Sequence, residues 1–528
     1  MLALPMSTIR KWMRARVAAV IVALAFALVI ARFLSHSPSE YYPLDEAATP
    51  IDRPAQWQAC SWDERAHDTL AECAFISVPL DYRAPDGKRI RLLVKRRQAT
   101  SSPRAQIWLV HGGPGASATA GMKDLAYGIA DLRGDIAFYA VDHRGTGDSE
   151  RLGCPVQEDE NSPGGALVLD NEWDGCLAAL RSAAGSMLPY MTTTAAAQDL
   201  ALLIAQFRHP GVPVFVYGGS YGTYMVRRYL ALASEPPDGV ILEGVVAADG
   251  GMAGYDARLE EGATRLLDAC DAADACSRHF KGQLRTETAM MLNELEDGHC
   301  RILNLKPTVA KQLLAAMTFY ADTRVLIPPL VHRIRRCAWG DVWFVVRLVL
   351  KFTALTSSET YSPVLHFHVV LSEMYRPAQS ARELQDQFNT AILSTGMELS
   401  YARLFRRWPR YEAPTAAART AAVYAGPMLL LQGELDPASP LAQASRVARS
   451  FDRPAQHMVV FPHGAHGVVE ATPTTHGTDC ARQIYVAFIS HPYAAPDTSC
   501  IADLAPLDWR TIPPGALAIA PTADLWGD

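Results

Sequence analysis

Short apolar runs recur along the chain, each bounded by glycine, proline or polar residues: QIWLV (Gln106–Val110), IAFYAV (Ile136–Val141), VFVY (Val214–Tyr217), GVILE (Gly239–Glu243), MLLLQ (Met428–Gln432) and HMVVF (His457–Phe461). Runs of this length and flanking read as strands buried on both faces. Most are preceded or followed by apolar residues at helical spacing, as in TAAAQDLALLIAQF (Thr194–Phe207). This alternation predicts an α/β fold with a mostly parallel sheet covered by helices. Before it, FISVPLDY (Phe75–Tyr82) and RIRLLVKRRQA (Arg89–Ala99) predict an antiparallel pair joined by the turn RAPDGK.

The alternation stops between about Met252 and Thr420, where the pattern is helical, and resumes at Pro427. An all-helical block interrupting an α/β alternation predicts an insertion that caps the sheet. It contains WGDVWFVVRLVLKF (Trp339–Phe352), whose apolar stripe leaves Arg347 and Lys351 one turn apart. Packing is the favoured reading of such a stripe, ahead of a membrane or ligand surface. The expected organisation is therefore an N-terminal segment (1–40), a first part of the core (41–251), a helical cap (252–420) and a second part of the core (421–528).

Candidate chemistry begins with VYGGSYGTY (Val216–Tyr224), where glycines crowd around Ser220 between a strand and a helical run. Strand, G-x-S-x-G, helix is the nucleophile elbow: a sharp turn that exposes a serine hydroxyl at the C-terminal edge of a sheet. A serine needs a base to take its proton and an acid to hold that base, in the chain order Ser, Asp or Glu, His. After one strand comes GELDPASP, offering Glu434 and Asp436; after the next comes PHGAHG, offering His463 and His466. Asp436 is preferred because it sits deeper in its turn beside Pro437, and His466 because Gly467 leaves room for its ring. HGGPG (His111–Gly115) follows another strand and suits an oxyanion hole, with Gly113 (Gly112 close behind) and Tyr221 supplying backbone N–H donors. His111 is read as holding that loop, and DHRGTGDS (Asp142–Ser149) as bracing the same edge.

Composition narrows the setting. A net charge of −6 with scattered arginines and lysines gives no reason to expect nucleic acid, and no metal or cofactor motif is present. Arg10, Lys11, Arg14 and Arg16 precede VAAVIVALAFALVIARFL, the grammar of an export signal, either cleaved or kept as a membrane anchor. That predicts a periplasmic or extracellular protein touching the membrane through this segment only. Ten cysteines fit export, and their even number reads as disulfides whose pairing the sequence does not fix.

HGGPG, DHRGTGDS and GGSYGTY together resemble the α/β-hydrolase serine peptidases that include proline iminopeptidase and secreted tripeptidyl aminopeptidases. CAFISVPLDYRAPDG, GELDPASPLAQASRVA and CARQIYVAFISHPYAAPDTSC are similar to the tripeptidyl aminopeptidase branch. The resemblance implies an α/β-hydrolase fold, a Ser220–Asp436–His466 triad and a peptide substrate. It also implies acidic side chains that bind the substrate's amino terminus, for which Glu243 and Glu373 are the candidates. An esterase or lipase-like enzyme with the same triad, or a silent hydrolase fold kept for binding, are the alternatives.

Overall fold

The computed structural model describes residues 49–527, apart from residues 52, 63–69, 160–161, 165–167, 248, 250, 354–359, 415–423, 518–519, 521 and 523. The expected export segment, at residues 1–40, lies outside the described residues. Among the described residues no helix is long and apolar enough to cross a membrane.

The main strands are β1 (Ala71–Pro79), β2 (Arg89–Arg97), β3 (Ala105–Val110), β4 (Ile136–Val141), β5 (Val214–Gly219), β6 (Gly239–Glu243), β7 (Met428–Gly433) and β8 (Gln456–Phe461). They form one sheet in the order β1-β2-β4-β3-β5-β6-β7-β8. β2 is antiparallel to β1 and β4, and all other neighbours are parallel. Leu109, Tyr217, Ile241, Leu429 and His457 stand in register across β3, β5, β6, β7 and β8. Two-residue strands, Thr49–Pro50 and Gln58–Ala59, add to β1. They are too short to leave a periodic signal.

The central strands are continuous apolar runs because both faces are covered, and alternate residues feed different cores. Ile107, Leu109, Phe215, Tyr217, Ile241 and Leu429 pack on one face with helix Cys480–Ser490. Trp108, Val110, Val214, Val216, Val240 and Leu242 pack on the other with helices Thr193–Phe207 and Tyr221–Leu232. The first of these helices starts one residue before its predicted position, capped by the Thr192 side chain, which accepts from Ala195 N–H.

From Tyr255 to Leu404 every regular element among the described residues is helical. Many of these helices share a separate core that includes Leu259, Leu314, Leu330, Phe344 and Leu348. Helix Trp339–Thr353 buries Phe344, Val345 and Leu348 in it, so the packing expectation holds for that face. The chain end was expected to complete the sheet domain, yet Trp509, Leu525 and Trp526 insert into this helical core. Arg333, ion-paired to buried Asp341 (3.0 Å), holds the Leu525 carbonyl, and Arg336 holds that of Gly527.

All ten cysteines pair: Cys60–Cys73, Cys154–Cys176, Cys270–Cys276, Cys300–Cys337 and Cys480–Cys500. Denatured, unreduced protein should therefore show no thiol towards Ellman's reagent. Loop-closure entropy makes Cys300–Cys337, with a separation of 37 residues, the most stabilising of them. Replacing that pair by serines should cost about 4 kcal/mol, against about 2 kcal/mol for Cys270–Cys276, read from denaturant unfolding. Equal losses would refute the entropic account.

Candidate active site

Ser220 follows β5 directly and adopts φ 54° and ψ −124°, after which helix Tyr221–Leu232 begins at once. A non-glycine residue at positive φ is strained and persists only where its surroundings dictate it. Here they do. Ser220 N–H donates to the Glu243 carbonyl at the end of β6 (2.8 Å), and Thr223 Oγ1 donates to the Ser220 carbonyl (2.7 Å). The glycines allow strand and helix to touch. A Cβ on Gly222 would stand 2.4 Å from the Val110 carbonyl oxygen, and one on Gly218 would stand 2.7 Å from that of Gly222.

Asp436 lies in the turn after β7 and is 2 % exposed. Its Oδ1 accepts from the N–H groups of Ala438 and Ser439 (both 2.9 Å). Its Oδ2 accepts from Ser439 Oγ (2.7 Å), Gln432 Nε2 (3.2 Å) and His466 Nδ1 (2.9 Å). Burial alone would raise this carboxyl, but the His466 imidazole and the Ser439 hydrogen bonds outweigh it and hold the group below the usual carboxylate range. Burial would likewise push His466 down, yet the charge and hydrogen bond of Asp436, with help from Glu243, lift it above its usual value of 6.5. The alternatives point elsewhere: Glu434 and His463 are exposed.

The His466 ring packs on Gly244, where a Cβ would stand 2.9 Å from its Cε1. Gly244 follows Glu243, whose carbonyl holds Ser220, so imidazole and serine occupy neighbouring strand ends. The reason given for Gly467 needs correcting. A Cβ there would meet nothing within 4 Å, and the glycine is required because φ is 88°.

HGGPG continues from β3 along the other side of the serine. A Cβ on Gly112 would stand 2.7 Å from Ser220 Cβ and 3.2 Å from its Oγ. The N–H of Gly112 is spent on His111 Nδ1 (2.6 Å), which favours Gly113 as the donor from this loop. The N–H of Tyr221 opens its helix and so lacks an intrahelical acceptor. Burial pushes His111 down to about 4, so it stays neutral and acts as a hydrogen-bonding prop. Asp142 braces the loop's continuation, accepting from Ser117 Oγ (2.7 Å), Thr119 N–H (3.0 Å) and Thr119 Oγ1 (2.9 Å). Arg144 forms a two-bond ion pair with buried Asp199 (both 2.7 Å).

Sequence reasoning missed the partner of this loop in the helical segment. Ser117 N–H donates to the Thr360 carbonyl and Ser362 N–H to the Gly115 carbonyl (both 2.9 Å). Tyr361 is thereby laid over Gly113, its Cε2 3.4 Å from where a Cβ would be. Nothing in the residue pattern around 360–362 signals this contact.

The two candidate ammonium-binding carboxylates both have partners inside the protein. Glu243, 5 % exposed, accepts from the Tyr217 hydroxyl and from the N–H groups of Val468 and Val469, just beyond His466. Glu373, 1 % exposed, accepts from Thr193 N–H (3.1 Å) and from the hydroxyls of Tyr224 (3.1 Å) and Tyr411. Each is buried and accepts three hydrogen bonds from within the protein, which favours a structural role over meeting a substrate cation.

The fold is an α/β-hydrolase fold, and its strand ends carry the serine, aspartate and histidine of a serine hydrolase. More narrowly, the chain resembles the tripeptidyl aminopeptidases within it: it matches the family described as serine aminopeptidase, S33, over residues 101–251 and that of TAP-like proteins over residues 394–500. It is 25 % identical over 493 residues to a tripeptidyl aminopeptidase of Streptomyces coelicolor, covering 83 % of this chain and 86 % of that one. It is 36 % identical over 107 residues to carboxylesterase B of Mycobacterium tuberculosis, covering 19 % of this chain and 20 % of the other. Among solved structures, proline iminopeptidase of Mycobacterium smegmatis aligns with a TM-score of 0.40 at 15 % identity, covering 79 % of this chain and 98 % of that one.

Two outcomes follow from this geometry. His466 accepts a proton only when neutral, and its raised pKa keeps it protonated to higher pH than usual. Activity should therefore be lost as pH falls through that raised value, with the acid limb of kcat/KM centred above 6.5. Asp436→Asn should move the limb downward; an unmoved limb would mean that another group titrates. Glu243→Ala strands two buried N–H groups, each costing about 1–3 kcal/mol, and should lower both stability and kcat. It should leave the rate ratio of unblocked to N-acetylated substrates intact; a ratio that collapses would restore Glu243 as the ammonium site.

Proposed function

We propose that the chain is an exported serine aminopeptidase that releases short peptides from peptide amino termini through an acyl-enzyme. The observation that carries this reading is the Asp436–His466 hydrogen bond, set at the strand end next to the strained Ser220 turn. His466 Nε2 takes the Ser220 Oγ proton as Oγ attacks the scissile carbonyl, while the Nδ1 proton stays directed at Asp436. The oxyanion is received by the N–H groups of Gly113 and Tyr221. His466 then protonates the departing amine, and a water activated by the same imidazole hydrolyses the ester on Ser220.

The helical segment 252–420 is assigned the role of a cap. Its fastening to Gly115 and Ser117 lays Tyr361 over the glycine loop, which favours the end of a peptide over its middle. The tripeptidyl aminopeptidase relative supports the peptide substrate, and the five disulfides support export. The similarity to carboxylesterase B favours a second reading, an ester hydrolase with the same triad. A silent binding protein has no need of the hydrogen-bonded Asp436–His466 pair.

A panel of unblocked tripeptidyl amides, their N-acetyl counterparts and short-chain esters separates these readings. Unblocked amides should exceed blocked ones by at least about ten-fold, the equivalent of 1.36 kcal/mol. Ser220→Ala should abolish fluorophosphonate labelling and turnover together. Equal rates on blocked and unblocked amides with fast ester cleavage would establish the esterase, and labelling that survives Ser220→Ala would remove the triad.

A further inference from the structure

The oxyanion proposed at Ser220 has two backbone donors, the N–H groups of Gly113 and Tyr221. Gly112 adds none, because its N–H is spent on His111 Nδ1. A further donor aimed at the developing charge would add to the rate, and a side-chain hydroxyl can serve as well as an amide. The side chain that reaches Gly113 from the helical segment is Tyr361, whose Cε2 stands 3.4 Å from where a Gly113 Cβ would be. That carbon is bonded to the one bearing the hydroxyl, so the phenol oxygen lies at the end of the ring that meets the glycine loop. Tyr361 is half-buried, and its hydroxyl has no hydrogen-bond partner among the described residues. A phenylalanine would pack there equally well. The hydroxyl is the part of this residue that the fold does not use.

The ring is held in place by its backbone and its neighbours instead. Ala116 and Tyr361 form an antiparallel bridge, flanked by the bonds from Ser117 N–H to the Thr360 carbonyl and from Ser362 N–H to the Gly115 carbonyl. From the other side Arg151 Nη2 donates to the Tyr361 carbonyl (3.0 Å), and Ser362 Oγ donates to the Leu152 carbonyl. Arg151 is ion-paired to buried Glu158, which also accepts the N–H of Cys154 (2.6 Å), a residue anchored by the Cys154–Cys176 disulfide. The Tyr361 ring lies beside that of His366 (centroids 6.0 Å apart), whose Nδ1 is 3.2 Å from the Pro114 carbonyl. A donor fixed before the charge appears needs no reorganisation when it does, which is the condition under which it contributes most. Burial pushes the Tyr361 hydroxyl above its usual value of 10, so it stays protonated and brings no charge to oppose an oxyanion.

We propose that the Tyr361 hydroxyl is a third donor to the oxyanion, which makes Tyr361 a catalytic residue supplied by the helical segment. The inference rests on the acyl-enzyme reading of Ser220 and holds for amide and ester substrates alike. The phenol donates a hydrogen bond and keeps its proton throughout. Its bond to the carbonyl oxygen strengthens as Ser220 Oγ attacks and negative charge gathers there. An interaction that grows in this way acts on kcat rather than on KM.

The test compares the unaltered chain with Tyr361→Phe, which keeps the ring and removes only an unpartnered oxygen. On the fastest substrate of the amide and ester panel, kcat should fall at least about ten-fold while KM changes by less than about two-fold. The rate constant for fluorophosphonate labelling of Ser220 should fall in the same proportion, because the phosphoryl oxygen takes the place of the oxyanion. Equal denaturation midpoints in the two proteins would verify the fold. An unchanged kcat and labelling rate, or a raised KM with kcat intact, would overturn the proposal and leave the triad standing. An unaltered chain that takes no label at Ser220 would instead remove the acyl-enzyme reading, and this proposal with it.

Discussion

Glu243 is bonded at both ends, and the geometry of the site depends on it. Its carbonyl receives the N–H of Ser220 and so helps hold the serine at a positive φ. Its carboxylate receives the N–H groups of Val468 and Val469, which places the loop that carries His466. The Tyr217 hydroxyl, from within β5, fixes the same carboxylate from the strand that leads to the serine. One buried side chain therefore joins the ends of β5, β6 and β8. A carboxylate left buried without donors would be costly, so the three donors and the acceptor specify one another. The relative position of Ser220 and His466 is in this way built into the sheet edge rather than left to two independent loops.

This also explains what could be read from the residues alone. Ser220, Asp436 and His466 were legible because each follows an apolar run that can only be a buried strand, and parallel strands deliver their C-terminal ends to one edge. Glu243 was legible as a residue at such an edge, but its partners lie 225 and 226 positions away in sequence. No local pattern shows whether an acid at a strand end faces a substrate or a distant amide. Glu373 is the same case: its donors come from Thr193, Tyr224 and Tyr411, on three different segments. Gly467 was noticed for the right position and the wrong reason, since sequence marks a glycine without telling space from dihedral angle.

The helical segment shows the same division. Its helices were visible as periodicity, but its attachments were not. It is held to the sheet domain by hydrogen bonds at Gly115 and Ser117, and by the His466 N–H, which donates to the Phe319 carbonyl (3.1 Å). The chain end then returns to it, with Trp526 Nε1 donating to the Trp509 carbonyl (2.9 Å) inside the helical core. The turns at Phe319 and at Thr360–Ser362, between helices of this segment, thus touch the histidine loop and the glycine loop, so the segment cannot shift without disturbing both. Access to Ser220 and the alignment around it are therefore coupled through backbone contacts rather than through any single side chain.

The strength of the acid is likewise a property of a turn. A carboxyl as buried as Asp436 would by itself tend to take up a proton, and a neutral acid could not stabilise a cationic imidazole. What reverses this is the short sequence that follows it. The turn through Pro437 aims the N–H groups of Ala438 and Ser439 and the Ser439 hydroxyl back at the carboxylate, and Gln432, at the end of β7, adds another donor. Charge on Asp436 is thus held by donors that are in place before any substrate arrives, and that charge in turn raises the affinity of His466 for a proton. Ser439 Oγ also sits 3.4 Å from His466 Nδ1, so the residue that steadies the Asp436 carboxylate lies against the imidazole bonded to it. GELDPASP carries chemistry at more than its aspartate: remove the donors after Asp436 and the same carboxyl, in the same place, becomes a poorer partner for the histidine.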